Sequence, residues 1–152
     1  MSAPQTPAAP AGTKGNNTVK IVAIILMALG AIFFVVGIGT YAMVSNTLAD
    51  EQITVSDDAD FLGGDDVDGP FSAYAQADII AKHAEEIADG KTYAELAQDD
   101  ERRPTVMNAS FLRASLFTSV VAFGVAALVA GLGVLFALVG WAMLSLSKPA
   151  TE

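Results

Sequence analysis

Apolar positions in this chain gather into two long runs, with a polar, mixed stretch between them. Ile21 to Val44 contains no charged residue, and neither does Ala114 to Ser147. A helix that crosses a bilayer needs roughly 20 apolar residues, so the pattern predicts transmembrane helices over 20–44 and 115–146. The first run has 44 − 21 + 1 = 24 residues. A signal-peptide core has only about 7–15, so this run reads as an anchor and not a cleaved leader. Lys20 and Tyr41 on the first span, and Arg113 and Trp141 on the second, stand where interfacial anchors belong. From Arg113 to Trp141 is 141 − 113 = 28 residues. At about 1.5 Å each that is roughly 42 Å of helix, the thickness of a bilayer with its headgroups.

The stretch between the runs reads as mostly helical. Pro70 suits the first position of a helix capped by Asp68 or Gly69. Phe71, Tyr74, Ile80, Ala84 and Ile87 then recur at helical spacing up to Gly90, with Asp78 and Lys82 as a supporting i,i+4 pair. Thr92 and Glu95 form a capping-box pattern for a short helix through about Gln98, which Pro104 ends. Gln52 to Val55 has strand character without an obvious pairing partner, and Ser56 to Gly69 reads as an irregular acidic turn region. Phe61, Phe71, Tyr74, Ile80, Ile87, Tyr93 and Leu96 are expected to pack on one another and on the ends of the spans, or on a partner. Residues 1–19 are Pro- and Ala-rich and read as a disordered tail; residues 147–152 form a short second tail.

Small residues within the spans are periodic. Ala23, Gly30 and Gly37 recur every seven positions in the first span. In the second, Ser119, Ala122, Ala126, Ala130, Gly133, Ala137 and Gly140 step by three and four along one face. Small side chains let helix backbones approach closely in lipid, where packing drives association. These faces are therefore the expected helix-packing surfaces, used in a hairpin of the two spans, in self-association or against another membrane protein.

Charge sharpens the picture. Sixteen of the seventeen Asp and Glu lie between Asp50 and Glu101, and the chain carries a formal −9. Such a segment repels nucleic acid, so a nucleic-acid partner is not expected. Lys14 and Lys20 precede the first span and Lys148 follows the second. The positive-inside rule then puts both termini in the cytoplasm and the 45–114 loop outside the plasma membrane, although Arg102, Arg103 and Arg113 pull the other way. The expected fold is an all-α membrane protein: two transmembrane helices in an antiparallel hairpin, joined by an acidic, mostly helical extracytoplasmic loop.

Candidate chemistry is sparse. There is no cysteine, and His83 is the only histidine. No charged residue lies inside either apolar run, which disfavours ion pathways and proton relays. An EF-hand register starting at Asp58 fails because Leu62 and Gly69 fall where acids belong. Asp57, Asp58, Asp60, Asp65, Asp66 and Asp68 remain weak candidates for a divalent site. No catalytic or cofactor-binding residue is expected.

Gly69 to Asp78, Gly90 to Leu96 and Met107 to Phe117, with the span that follows, resemble a group of small actinobacterial two-span membrane proteins often labelled aromatic ring-opening dioxygenases. The resemblance implies two spans, and its label implies non-haem iron chemistry, for which this chain supplies no recognisable ligand set. The expected function is that of a non-catalytic accessory, assembly or interaction subunit of a larger envelope or respiratory membrane complex. The alternatives are a dioxygenase-related partner subunit and a divalent-ion-responsive sensor using the Asp-rich loop.

Overall fold

A computed structural model describes residues 13–147, with side chains from residue 17 onward. Its elements are α1 (Thr13–Asp50), α2 (Pro70–Ile87) and α3 (Arg103–Leu146). Among the described residues there is no β-strand beyond one isolated bridge. Two of the helices, α1 and α3, are long and apolar enough to cross a membrane. Only 17% of the most apolar window of each is buried. The core helix of a soluble protein would be mostly covered.

Both long helices outrun the spans expected of them. α1 begins at Thr13, so residues 13–19 are helical and not part of a disordered tail; residues 1–12 and 148–152 lie outside the described residues. At its other end α1 continues past Val44 to Asp50, because no proline or glycine interrupts 41–50. It stops where Gln52 turns to a φ of 51°. α3 begins at Arg103, ahead of the apolar run, with Pro104 in its first turn. Proline lacks an N–H, and a first-turn N–H has no intrahelical acceptor, so Pro104 opens this helix and does not end the element before it. With 38 and 44 residues, the helices measure roughly 57 and 66 Å, more than the roughly 40–45 Å of a bilayer.

The chain divides into two compact units, one of Met1–Phe34 with Gly131–Glu152 and one of Val35–Ala130. In the first, segments of α1 and α3 pack through Ala23, Gly30, Gly133 and Gly140, and Phe33 meets Phe136 with ring centroids 5.8 Å apart.

The second unit holds a core built from the 51–102 connection and from the helix ends beside it. Leu48 of α1, Leu116 and Phe123 of α3, Val55 and Val67 of the connection, and Ala73, Ala75 and Ala77 of α2 form one buried cluster. Gln52 to Val55 finds a partner in residues 64–67. Val55 N–H donates to Asp65 O, Val67 N–H donates to Ile53 O, and Thr54 bridges Asp66 antiparallel. This short ribbon turns Val55 and Val67 into the core while leaving Asp65 and Asp66 exposed.

Helix α2 starts as expected at Pro70 with Gly69 as its N-cap. Gly69 has no side chain to cap with. The Ser72 hydroxyl takes over, accepting the N–H of Asp68 and of Gly69 and donating to Gly69 O. Ile80 packs on the core and the Tyr74 ring meets Phe61 and Phe117, as expected, but the face buried most fully is another. Ser72, Ala73, Ala75, Ala77 and Ile79 are covered, whereas Phe71, Tyr74 and Ile87 are exposed. Alanines let α2 lie close against Val55, Val67 and the helix ends, and a large ring at those positions would hold it away. The predicted helix from Thr92 to Gln98 is a single turn instead. The Glu95 carboxylate accepts the Thr92 N–H and hydroxyl, and Glu95 and Leu96 N–H groups reach Thr92 O before the chain turns again at Asp99. A smaller cluster of Ala88, Leu96 and Val106, flanked by Ala84 and Tyr93, closes this end.

Candidate functional site

The residues singled out by sequence fall into a helix-packing set, an anchor set and an acidic set. In the first unit the packing set is in direct contact. A methyl group built on Gly30 would lie 2.6 Å from Gly133 O and 2.7 Å from Ala137 N. One built on Gly133 would lie 2.5 Å from Phe34 N, and one on Gly140 2.7 Å from Ala23 O. Those spacings leave room for hydrogen and for nothing larger. In the second unit, a methyl on Gly37 would meet Ala130 N at 2.5 Å and Ala126 O at 2.7 Å. Ala126 and Ala130 are buried, and Ala122 and Ser119 are half-buried. By contrast, a methyl on Gly39, Gly124 or Gly131 would meet nothing within 4 Å. They are glycines of the same helices that take no part in the contact.

Of the anchor set, Tyr41 packs on Phe123 with ring centroids 4.7 Å apart. The Arg113 guanidinium lies 5.3 Å from the centre of the Phe117 ring, a cation–π arrangement. Trp141 is 62% exposed and adjoins Gly140, which touches Ala23 and Met27. Lys20 is half-buried.

The acidic set is not gathered into a ligand cage. Among the described residues no group of three or more His, Cys, Asp and Glu is placed to hold a metal ion. The acids are dealt out separately. Asp58 accepts from His83 Nε2 at 2.7 Å, and Asp60 accepts from Lys82 Nζ at 2.5 Å. Lys82 also reaches Asp78 at 3.5 Å. Two successive residues of α2 thus clasp the acidic turn. The His83 hydrogen bond holds the Asp58 carboxyl below its ordinary range, and the Asp60 hydrogen bond raises Lys82. Asp65, Asp66 and Asp68 enter no ion pair among the described residues.

A second polar centre was not legible beforehand. Arg102 donates to both carboxylate oxygens of Asp100, at 3.0 and 2.9 Å, and to Asp89 at 2.6 Å. Its own backbone N–H also reaches Asp100. These contacts, the Arg102 hydrogen bonds foremost, lower the Asp100 carboxyl to about 2 and raise Arg102. Next to it, Arg103 donates to the Tyr93 and Leu96 carbonyls and lies 4.2 Å from the centre of the Tyr93 ring. This centre pins the start of α3 to the end of α2. Only the run of charges at Asp99 to Arg103 hinted at it.

No protein-family model, curated protein or solved structure matches the chain.

Proposed function

We propose that this chain is a non-catalytic integral membrane protein, an accessory or assembly subunit that interacts with a larger envelope or respiratory membrane complex. In this reading α1 and α3 cross the plasma membrane as an antiparallel hairpin, with both termini cytoplasmic and 45–114 forming an acidic cap outside. The contacts of the first unit support the pairing, since Ala23 meets Gly140 while Gly30 meets Gly133. Broad apolar faces left uncovered on both helices support the lipid environment. The likeness to small actinobacterial two-span proteins belongs to the same proposal.

One observation carries the interaction role. Val55, Val67 and alanines of the cap complete a core with Leu48, Leu116 and Phe123 of the long helices, yet Phe61, Leu62 and Phe71 stay on the cap's surface among carboxylates. Large exposed apolar side chains beside a completed core are a common mark of a surface that meets another protein. Its only imidazole is engaged with Asp58, which favours a structural use of His83. The test is purification of the tagged full-length chain in mild detergent. The expected result is a membrane partner recovered in fixed stoichiometry; monomer alone on repeated attempts contradicts the proposal.

A further inference from the structure

Within the second unit, Tyr41, Leu62 and Phe71 line a groove whose rim carries Asp65, Asp66 and Asp68. Phe71 is the most exposed aromatic of the cap, at 74%, and its ring stacks on no other ring among the described residues. The three carboxylates are exposed and enter no described ion pair, although their neighbours Asp58 and Asp60 are paired. No lysine or arginine lines the groove. Leu62 is held at a φ of 56°, a left-handed conformation that disfavours a branched aliphatic side chain. Its side chain is 37% exposed, so part of it faces the groove while its carbonyl accepts the Asp65 N–H within the turn.

We infer that this groove receives a basic segment of a partner protein, with Lys or Arg flanked by apolar residues. This rests on the reading of the chain as an interaction subunit and names the chemistry of its partner. Charge decides among occupants. A second copy meeting it groove to groove would bring three carboxylates against three, and anionic lipid headgroups would be repelled in the same way. A cationic side chain gains from both parts of the groove: charge-assisted contacts with the aspartates, and the faces of Phe71 and Tyr41 for cation–π contact. Apolar neighbours on the segment cover Leu62 and Phe71.

The test uses the full-length chain in phosphatidylcholine nanodiscs and a fluorescein-labelled peptide of alternating arginine and leucine, read by anisotropy against empty nanodiscs. The peptide is expected to bind the protein-loaded discs. Asp65→Asn/Asp66→Asn/Asp68→Asn is expected to weaken binding about tenfold or more, and Phe71→Ala to weaken it comparably, as for central contact residues. The control Glu51→Gln/Asp99→Asn/Glu101→Gln removes as much charge elsewhere and is expected to change binding less than about twofold, the scale of a peripheral charge. An equal loss in the control, or no binding by the unaltered protein, overturns the groove assignment. Either result leaves the co-purification test standing, so the two failures are distinguishable. A separate variant, Phe71→Trp/Trp141→Phe, in discs with brominated acyl chains reports on lipid. Unquenched emission is expected, and strong quenching overturns the inference by showing that the bilayer covers the groove.

Discussion

At the scale of single residues, the cap is held by a few charged side chains that each do several jobs. Arg102 ties Asp100 and Asp89 together, so Arg102→Met is expected to lower the cap's melting temperature, followed by circular dichroism of the purified protein. Asp100 makes this pH-dependent in a definite sense. Its folded value of about 2 lies below the roughly 3.9 of an unfolded aspartate. The stabilisation is therefore fully present above about pH 4 and is lost as pH falls toward 2. Asp58, lowered by His83, acts in the same direction. Lys82, raised by Asp60, contributes at pH below the ordinary lysine value and loses its contribution as pH rises beyond it. Melting at pH 5 and pH 2.5 is expected to show a larger drop in the unaltered protein than in Arg102→Met. Equal drops would remove the pair from the account. These partnerships were not readable in the chain. Asp58 and His83 are 25 residues apart, and only the path of the acidic turn brings them together.

At the scale of elements, the closest contacts are where the sequence speaks most plainly. Backbones that approach to within a hydrogen atom's reach demand glycine or alanine at each crossing, and on paired helices that demand repeats. The seven-residue recurrence of Ala23, Gly30 and Gly37 could be read for that reason. Gly133→Val is expected to force α1 and α3 apart where Phe34 N lies 2.5 Å from the added carbon, costing about 1–3 kcal/mol as overpacking does. Gly131→Val, in open space two residues away, is expected to leave thermal stability in detergent nearly unchanged. Similar losses in both would mean that the contact is not what the glycines serve. α2 shows the limit of the same reading. Periodicity weighted by size picked out Phe71, Tyr74, Ile80, Ala84 and Ile87. Ile80 and Ala84 do pack on the buried clusters and Tyr74 meets Phe61 and Phe117, but the face buried most fully carries Ala73, Ala75 and Ala77. Alanine is neutral in a hydrophobic pattern, and its value for close packing appears only once its neighbours are known. The Thr92–Glu95 box likewise marked a real local contact, without enough apolar sequence after it to prolong the turn into a helix.

At the scale of the whole molecule, the connection does not fold apart from the long helices. Val55, Val67 and the alanines of α2 close their core against Leu48, Leu116 and Phe123, which explains how a short segment without cysteine holds a defined shape. Phe123, 1% exposed, is the largest side chain in that cluster. Phe123→Ala is expected to destabilise the cap by about 3–5 kcal/mol, seen as early loss of ordered amides by hydrogen exchange in 53–67 and 72–79. The two long apolar stretches were evident from the chain alone; how far α1 runs beyond its stretch, to Thr13 and to Asp50, was not. The central claim is that both helices cross the membrane with the cap outside. The chain has no cysteine, so Asp65→Cys provides a single thiol on the exposed acidic turn. A membrane-impermeant maleimide applied to intact cells is predicted to label it as fully as after lysis. Labelling that appears only once the cells are opened would contradict the account.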